Sequence, residues 1–204
     1  MTFSALVIAA AMLTVPVDAP PSAPTVVDGA VVRLKCGGGT GTAFLIAGDT
    51  FITANHVIAD DRCGMWDAQR GNVAFEVQTQ DVGADLVIAS IPSAERATLA
   101  INCEGMTTGE RYWMVGYANK MERTTSLPVT ATASVVNARM PSGLARGLRM
   151  VEQAGGGRGR VGMSGGPVLD AQGRVVAINS AVGTNSGEGQ TYVKELKDTP
   201  ACRA

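Results

Sequence analysis

The sequence predicts an all-β protein built from two small β-barrels that pack together as one unit. Short apolar runs dominate the chain, glycine-rich turns separate them, and helical periodicity is nearly absent. The turns recur at spacings that suit a barrel or a sandwich. The chain of 204 residues is long enough for one substantial core or for two small ones.

Composition fits this prediction and excludes one class of partner. Hydrophobic residues make up 46% of the chain but aromatic residues only 4%, so small aliphatic side chains must fill the barrel interiors. The net charge of −1 gives no general attraction to nucleic acid or to anionic lipid. We therefore expect no nucleic-acid partner.

The predicted strands follow from short β-favouring runs bounded by turn residues. In chain order they are 31–36, 42–46, 51–53, 73–77, 86–91, 112–117, 129–136, 148–153, 167–169, 175–179 and 191–193. The main turns fall at 37–39, 48–49, 71–72, 141–143, 155–157 and 183–189. Helix is expected only in a turn after His56 and weakly over 194–199. A connector near 93–109 divides a first barrel at about 25–95 from a second at about 110–195.

The first 24 residues predict a signal peptide or a short hydrophobic leader. The apolar run 3–17 is too short to cross a bilayer comfortably, and the proline-rich segment 18–24 follows it. Four cysteines, an even number, agree with an oxidising compartment, although sequence alone allows three pairings. We expect export to the periplasm or the medium, with a membrane anchor as the alternative if the leader is not cleaved.

A nucleophilic serine is indicated by the segment Gly-Met-Ser-Gly-Gly-Pro at 162–167. A serine hydroxyl is a weak nucleophile, so it needs a tight turn, a neighbouring base and main-chain N–H groups aimed at the developing oxyanion. The flanking glycines permit such a turn and a close approach of substrate. The alternative is a glycine-rich hairpin with an incidental serine.

A base and its orienting group precede this serine. His56 is the only histidine, and it stands where the predicted strand 51–53 gives way to a turn. A zinc site is not expected, because one histidine and no clustered cysteines supply no ligand set. Asp85 abuts the apolar strand 86–91, where a partly buried carboxylate could orient the imidazole. Asp81 is the alternative, and it could equally be a solvated turn residue.

These motifs, in this order, resemble the chymotrypsin-fold serine proteases, and within them the bacterial heat-shock (Deg-type) and related bacterial or viral enzymes. Segments 41–46 and 51–56 are similar to the glycine-rich hairpin and the histidine motif, 85–89 to the aspartate motif and 162–167 to the serine motif. Segments 109–117 and 173–181 also match. The resemblance spans about 31–193 and implies two six-stranded antiparallel β-barrels of chymotrypsin type, with the active site in the cleft between them and a trypsin-like protease domain at 25–204.

The resemblance implies a serine endopeptidase with a role for each matched residue. Ser164 attacks the scissile carbonyl, His56 takes and returns the proton, and Asp85 orients His56. The amides of Gly162 and Ser164 form the oxyanion hole. No metal or cofactor is implied, and the expected partner is a protein or peptide substrate bound by a monomer.

Substrate-binding positions are implied by the same resemblance. Residues 180–182 fall where the family places the edge strand that pairs with substrate backbone, and Ser180 where it places a serine near the aspartate. The implied substrate-binding residues are Arg158, Val161, Asn179, Ser180, Ala181 and Val182. Because burying an unpaired guanidinium is costly, Arg158 either binds an acidic side chain or points to solvent. With no aspartate at the pocket base, we expect a preference for small or medium aliphatic side chains.

The resemblance also implies disulfides. Pairing of Cys36 with Cys63 would staple the histidine loop as a family disulfide does, which leaves Cys103 to pair with Cys202 and tie the tail to the barrels.

Two departures from the family pattern qualify this interpretation. Enzymes activated by cleavage pair a new N-terminal amine with an aspartate just before the serine, but Met163 occupies that position and cannot form the ion pair. No PDZ module is expected after the protease domain, since few residues follow Val193. The remaining alternatives are a catalytically idle relative and an esterase, whose GxSxG pattern Gly162 and Gly166 satisfy. The order of residues argues against the esterase, because α/β-hydrolases place the histidine after the serine and no histidine follows Ser164.

Overall fold

The structure is a computed structural model that describes residues 22–26, 29–37, 39–59, 62–67, 71–92, 96–118, 121–153, 159–182 and 190–203. Residues 1–21 of the predicted leader, the turns at 155–157 and 183–189, and Arg158 lie outside the described residues. Among the residues that are described, no helix is long and apolar enough to cross a membrane.

The described residues form β-strands that build two antiparallel sheets. The strands are β1 Val31–Cys36, β2 Gly39–Leu45, β3 Thr50–Ala54, β4 Cys63–Asp67, β5 Gly71–Val73, β6 Glu76–Asp81, β7 Leu86–Ser90, β8 Arg111–Gly116, β9 Thr125–Met140, β10 Gly143–Gln153, β11 Pro167–Leu169, β12 Val175–Val182 and β13 Thr191–Glu195.

The two sheets confirm the all-β double-barrel fold. The second sheet is a closed six-stranded barrel in the order β10-β13-β12-β11-β8-β9, in which β9 pairs with β10. The first is a curled seven-stranded sheet in the order β5-β4-β1-β2-β3-β7-β6. It therefore has one strand more than expected, and within the described chain its end strands β5 and β6 do not pair with each other.

The strand positions differ from the prediction mainly in the first sheet. β4 was not predicted, because its first two residues, Cys63 and Gly64, carry little β-propensity. The predicted strand 73–77 is instead divided between β5 and β6. Phe75, in the break, packs edge-on against Phe51, with ring centroids 5.3 Å apart. The break in the extended run thus coincides with the packing of this half-buried ring against β3.

The second barrel has a hairpin longer than predicted. β9 and β10 extend several residues beyond the predicted runs 129–136 and 148–153, and they meet at the predicted turn, where Met140 pairs with Gly143. The outer part of the hairpin leaves apolar side chains such as Val135 and Leu144 exposed to solvent, so hydrophobic patterning gives no signal there.

Helical structure in the described chain is confined to short 3₁₀ turns. One covers Asn55–Val57, where a turn after His56 was expected. The helical expectation over 194–199 is correct only in part, since β13 continues to Glu195 and two turns follow, Leu196–Asp198 and Pro200–Cys202.

Apolar side chains from both sheets form a shared core that holds the two units together. Phe44, Ile52 and Leu86 of the first sheet belong to the same buried cluster as Leu169 and Ile178 of the second. Separate clusters fill the interior of each sheet and consist mostly of Val, Ala, Leu and Met. Small aliphatic side chains fill the barrels, as the low aromatic content predicts.

Both implied disulfides are present. Cys36–Cys63 closes a loop with a sequence separation of 27 and joins β1 to β4 just beyond the turn that carries His56. Cys103–Cys202 spans a separation of 99 and ties the C-terminal turn to the connector. The histidine segment and the chain end are thus covalently fixed to the body of the fold.

A buried carboxylate links the connector to the second barrel. Burial alone would raise the pKa of Glu195, but hydrogen bonds from Met106 N, Lys197 and Arg149 outweigh burial and lower it. A lowered pKa means that this carboxylate stabilises the fold above its unfolded pKa and that the contribution is lost as the pH falls through the folded value. Arg149 lies on β10 and Glu195 at the end of β13, while Met106 belongs to the connector and Lys197 to the turn that follows β13.

Candidate active site

Asp85 stands immediately before β7 in a left-handed conformation, with a φ of +51°, and is fully buried. Its main-chain N–H donates to Val82 O at 3.2 Å and its carbonyl accepts from Asn55 N at 3.0 Å. Aspartate tolerates this backbone region better than most residues, and these two bonds hold it there. The unusual backbone turns the carboxylate towards the segment that carries the histidine.

The Asp85 carboxylate binds His56 through both of its oxygens. Oδ1 accepts from His56 main-chain N at 2.9 Å, and Oδ2 lies 2.8 Å from His56 Nδ1. Because a carboxylate can only accept, the contact requires the proton on Nδ1, which leaves Nε2 of the neutral ring as an acceptor. Ser180 Oγ, from the second barrel, also donates to Oδ2. One buried carboxylate therefore connects residues of both sheets.

The histidine is positioned by the end of β3. His56 occupies the 3₁₀ turn Asn55–Val57, and its side chain is 15% exposed. Gln80 Nε2 on β6 donates to Asn55 Oδ1 at 2.6 Å, which fixes the residue before it. The His56 ring is thus held by Asp85 on its Nδ1 side and is partly open to solvent.

Asp81, the alternative orienting residue, caps the turn instead. Its Oδ1 accepts from Ala84 N at 2.9 Å. In the same turn, Gly83 O accepts from Arg146 N at 2.7 Å, so the β9–β10 hairpin braces the segment that leads to Asp85. Of the two aspartates, Asp85 is the one that the fold brings to His56.

The serine turn is defined by three consecutive main-chain carbonyl groups. Gly162 O accepts from Thr42 Oγ1 at 2.8 Å, Met163 O accepts from Gly166 N at 3.0 Å, and Ser164 O accepts from Thr42 N at 2.8 Å. Ser164 itself is partly exposed. The turn is therefore anchored to β2 of the first sheet as well as to itself.

Gly165 allows the serine turn to pack against the strand that leads to the histidine. It has a φ of +82°, and a Cβ there would lie 2.3 Å from Thr42 O and from Thr53 Oγ1, and 2.8 Å from Ala54 N. A side chain has no room at this position. Ala54 stands two residues before His56, so the close approach brings the serine and histidine segments together.

Gly162 also has a positive φ, +94°, next to a buried neighbour. Met163 is fully buried in the core of the second barrel, and its N–H donates to Arg160 O at 3.0 Å. The turn before the serine is thus held by apolar packing and hydrogen bonds at the position where activated relatives would carry an aspartate.

The expected substrate-binding residues occupy different places. Asn179 is buried and exchanges main-chain bonds with the serine turn, accepting from Gly165 N at 2.7 Å and donating to Gly166 O at 2.9 Å. Ala181 is partly buried in β12, and Val161 is 80% exposed at the rim. Residues 180–182 pair with β13 on one side, and no strand of the described chain pairs with their other edge.

Sequence reasoning missed one residue that contacts the serine turn, Thr42. It lies in the glycine-rich hairpin, and all of its polar groups bond to other segments. The only signal in the sequence is a polar residue within an otherwise buried strand. Since its partners are mostly main-chain atoms far along the chain, no motif identifies them.

Among the described residues, no group of three or more His, Cys, Asp or Glu side chains is placed so that it could bind a metal ion. The site consists of a carboxylate–imidazole pair, a serine turn and main-chain amides. Such an arrangement can move a proton to and from a nucleophilic hydroxyl.

Comparison with known proteins agrees with this arrangement. A family model, the trypsin-like peptidase domain, matches residues 41–178. The match includes His56, Asp85 and Ser164 and covers well over half of the chain. The chain belongs to the trypsin-like peptidase family and is accordingly a serine endopeptidase. A sequence comparison with curated proteins finds no match.

Solved structures of bacterial proteases share the fold. The Rv3671c protease from M. tuberculosis, in its active form, superposes with a TM-score of 0.69 at 19% identity over 82% of this chain and 76% of that one. The HtrA-type protease AlgW with a tripeptide gives 0.66 at 21% identity over 83% of this chain and 57% of that one. The MamO protease domain from Magnetospirillum magneticum gives 0.66 at 18% identity over 83% and 93%. At these identities the likeness establishes the fold.

Proposed function

We propose that the chain hydrolyses peptide bonds through an acyl-enzyme intermediate formed on Ser164, with His56 as general base and acid and Asp85 as its orienting group. The observation that carries the proposal is the buried Asp85 carboxylate, which bonds His56 twice and also receives Ser180 Oγ. A histidine held at Nδ1 by a buried carboxylate is the arrangement that general-base activation of a serine requires.

Acylation begins when substrate binds beside the serine turn. Ser164 Oγ attacks the carbonyl carbon while His56 Nε2 takes the hydroxyl proton. The amides of Gly162 and Ser164 bind the oxyanion of the tetrahedral intermediate. His56 then gives the proton to the departing amine, and the C–N bond breaks to leave an ester on Ser164.

Deacylation repeats these steps with water as the nucleophile. His56 takes a proton from the water, whose oxygen attacks the ester carbonyl. Collapse of the second tetrahedral intermediate returns that proton to Ser164 Oγ and releases the acid. Asp85 stays ionised throughout and stabilises the imidazolium that forms in each half of the reaction.

We propose that substrate backbone adds to the unpaired edge of β12 at 180–182, next to Ser180. The pocket beside it would take small or medium aliphatic side chains. Support comes from Thr191, a buried residue that pairs with Val182 in register and whose Oγ1 accepts from Gly159 N at 2.8 Å. The threonine thus connects Gly159, two residues before Val161, with the end of the strand at 180–182, so it joins the two segments that carry the proposed substrate-binding residues.

Export of the protein is part of this proposal. Its support is the pair of disulfides, which persist in oxidising compartments. An endopeptidase in the periplasm or outside the cell would meet protein or peptide substrates there.

Digestion of a peptide library tests activity and preference together. Purified protein is expected to cleave peptides with small or medium aliphatic residues before the scissile bond, and a fluorophosphonate probe should label Ser164. Ser164→Ala, checked for folding by thermal unfolding, is expected to lose both labelling and cleavage, a drop of about 10⁶-fold in kcat.

Two results would contradict the proposal. If folded wild-type protein were neither labelled nor active, the chain would be a catalytically idle member of its family. If ester substrates alone were hydrolysed, the esterase alternative would replace the peptidase.

A further inference from the structure

We propose that Thr42 is a positioning residue for the oxyanion-binding turn, acting through its hydroxyl group on the Gly162–Met163 peptide. The inference rests on the proposed function, since it concerns how the amides around Ser164 are held. Thr42 lies on β2 of the first sheet, is fully buried, and is 120 residues from Gly162 in the sequence.

The hydroxyl of Thr42 is bonded on both sides. Oγ1 donates to Gly162 O at 2.8 Å and accepts from Tyr117 N, just beyond β8, at 3.0 Å. A hydroxyl that accepts from one fixed amide has its proton directed away from that amide, towards the second partner. Tyr117 N therefore orients the Thr42 hydroxyl to donate to Gly162 O.

This bond restrains the carbonyl end of the Gly162–Met163 peptide, whose N–H donates to Arg160 O at 3.0 Å. Gly162 has no side chain and a φ of +94°, so its peptide plane can rotate at little steric cost. Thr42 fixes Gly162 O through its hydroxyl and Ser164 O through its main-chain N–H. The peptide unit that carries the Ser164 amide lies between these two held groups, and its own carbonyl accepts from Gly166 N.

The position next to the serine explains why such a bond is needed. Met163 is buried in the second barrel and carries no charge that could bind an N-terminal amine. In this turn a neutral hydroxyl group from the other sheet holds the main chain before the serine, which an ion pair would hold in enzymes activated by cleavage. Loss of that hydroxyl would remove the donor to Gly162 O, and the peptide could turn to find another.

A pair of variants isolates the hydroxyl. Thr42→Ala and Thr42→Ser both remove the γ-methyl group and differ only in the hydroxyl. Thr42→Ala is expected to lower kcat by about tenfold to a hundredfold relative to Thr42→Ser, with KM within about threefold, because the oxyanion is bound mainly in the transition state. The affinity of a peptide boronic acid, whose tetrahedral adduct on Ser164 uses the oxyanion hole, should fall by the same factor as kcat/KM.

The matched control is Thr199→Val. Thr199 is equally buried, and its Oγ1 donates to a main-chain carbonyl, Leu196 O, at the same 2.8 Å, but it lies in the C-terminal turns. This variant should lose thermal stability and keep the wild-type kcat. Thr42→Val is an isosteric variant that also removes the hydroxyl group, but it places an extra methyl group in the site. If Thr42→Val does not fold, the comparison of Thr42→Ala with Thr42→Ser still isolates the hydroxyl group.

The outcomes separate this inference from the function on which it rests. If wild-type protein cleaves peptide and Thr42→Ala matches Thr42→Ser in kcat and in boronic acid affinity, Thr42 has no positioning role and the inference is wrong. A loss confined to KM would also overturn it. If the wild-type protein is itself inactive, the proposed function fails first, and the inference falls with it.

Discussion

The two sides of the candidate active site are held by different kinds of contact. On the side of the first sheet, side-chain groups make the contacts. The Asp85 carboxylate bonds His56 at two atoms, and Asp81 caps the turn before Asp85. On the side of the second barrel, the turn around Ser164 is held mostly through main-chain groups and through glycines that allow close approach. The chemical identity of the side chains therefore matters most on the side of the first sheet. On the side of the second barrel, the space left by glycine residues matters most.

This difference explains why the two sheets need each other. Ser180 of the second barrel donates to Asp85, and Thr42 of the first sheet bonds the serine turn. Each sheet thus supplies a residue that bonds to the other side of the site. A protein with the sheets separated would keep neither the orientation of the imidazole nor that of the turn.

The largest effect is expected from changing the carboxylate on the first side. Asp85→Asn should reduce kcat by about 10⁴-fold, because an amide can donate to Nδ1 and so favours the tautomer with its proton on Nε2. Steady-state kinetics near pH 7, with thermal unfolding to verify the fold, measures this.

Asp81→Asn is the matched control for that prediction. It makes the same chemical change within the same turn, and the amide oxygen can still accept from Ala84 N. Activity should stay within about twofold of wild type. Equal losses in the two variants would mean that the charge of the turn as a whole, and not the contact of Asp85 with His56, supports catalysis.

The second prediction tests the need for space on the other side. Gly165→Ala should destabilise the fold by about 3 kcal/mol or more, because a methyl group would meet the main chain of β2 and β3 at a positive φ. Gly109→Ala provides the comparison, since Gly109 has a φ of +87° and nothing within 4 Å of an added Cβ. It should cost about 1 kcal/mol. Urea unfolding of both variants measures the difference, and similar losses would show that backbone conformation alone accounts for Gly165.

The contrast between the two sides also decides what could be predicted from the sequence. His56, Asp85 and Ser164 could be proposed as site residues from the sequence because their residue types and order carry chemical meaning. β-strands with alternating or continuous apolar residues were found for the same reason. Thr42 could not, because its partners are a carbonyl group and an amide that every residue possesses, and only the folded chain brings them together.

The strand errors have similar causes. The interruption at Phe75 depends on where Phe51 lies in the folded sheet, and β4 depends on pairing with β1 and on the Cys36–Cys63 link. Tertiary contacts override local propensity in both cases. The outer end of the β9–β10 hairpin lacked a signal because its side chains, apart from that of Ala145, are exposed or half-buried.

The smallest effect is expected at the contact that joins the two sides, Ser180 with Asp85. Ser180→Ala removes one donor to a carboxylate that keeps both of its bonds to His56. We expect kcat to fall about tenfold, the equivalent of ~1.4 kcal/mol, with little change in KM, because the main chain of β12 is retained for substrate pairing. Ser126→Ala, an exposed serine on β9, controls for loss of a hydroxyl and should leave kinetics unchanged. An unchanged kcat in Ser180→Ala would mean that the two bonds from His56 suffice to hold the carboxylate, and that the second barrel contributes only the serine turn to the site.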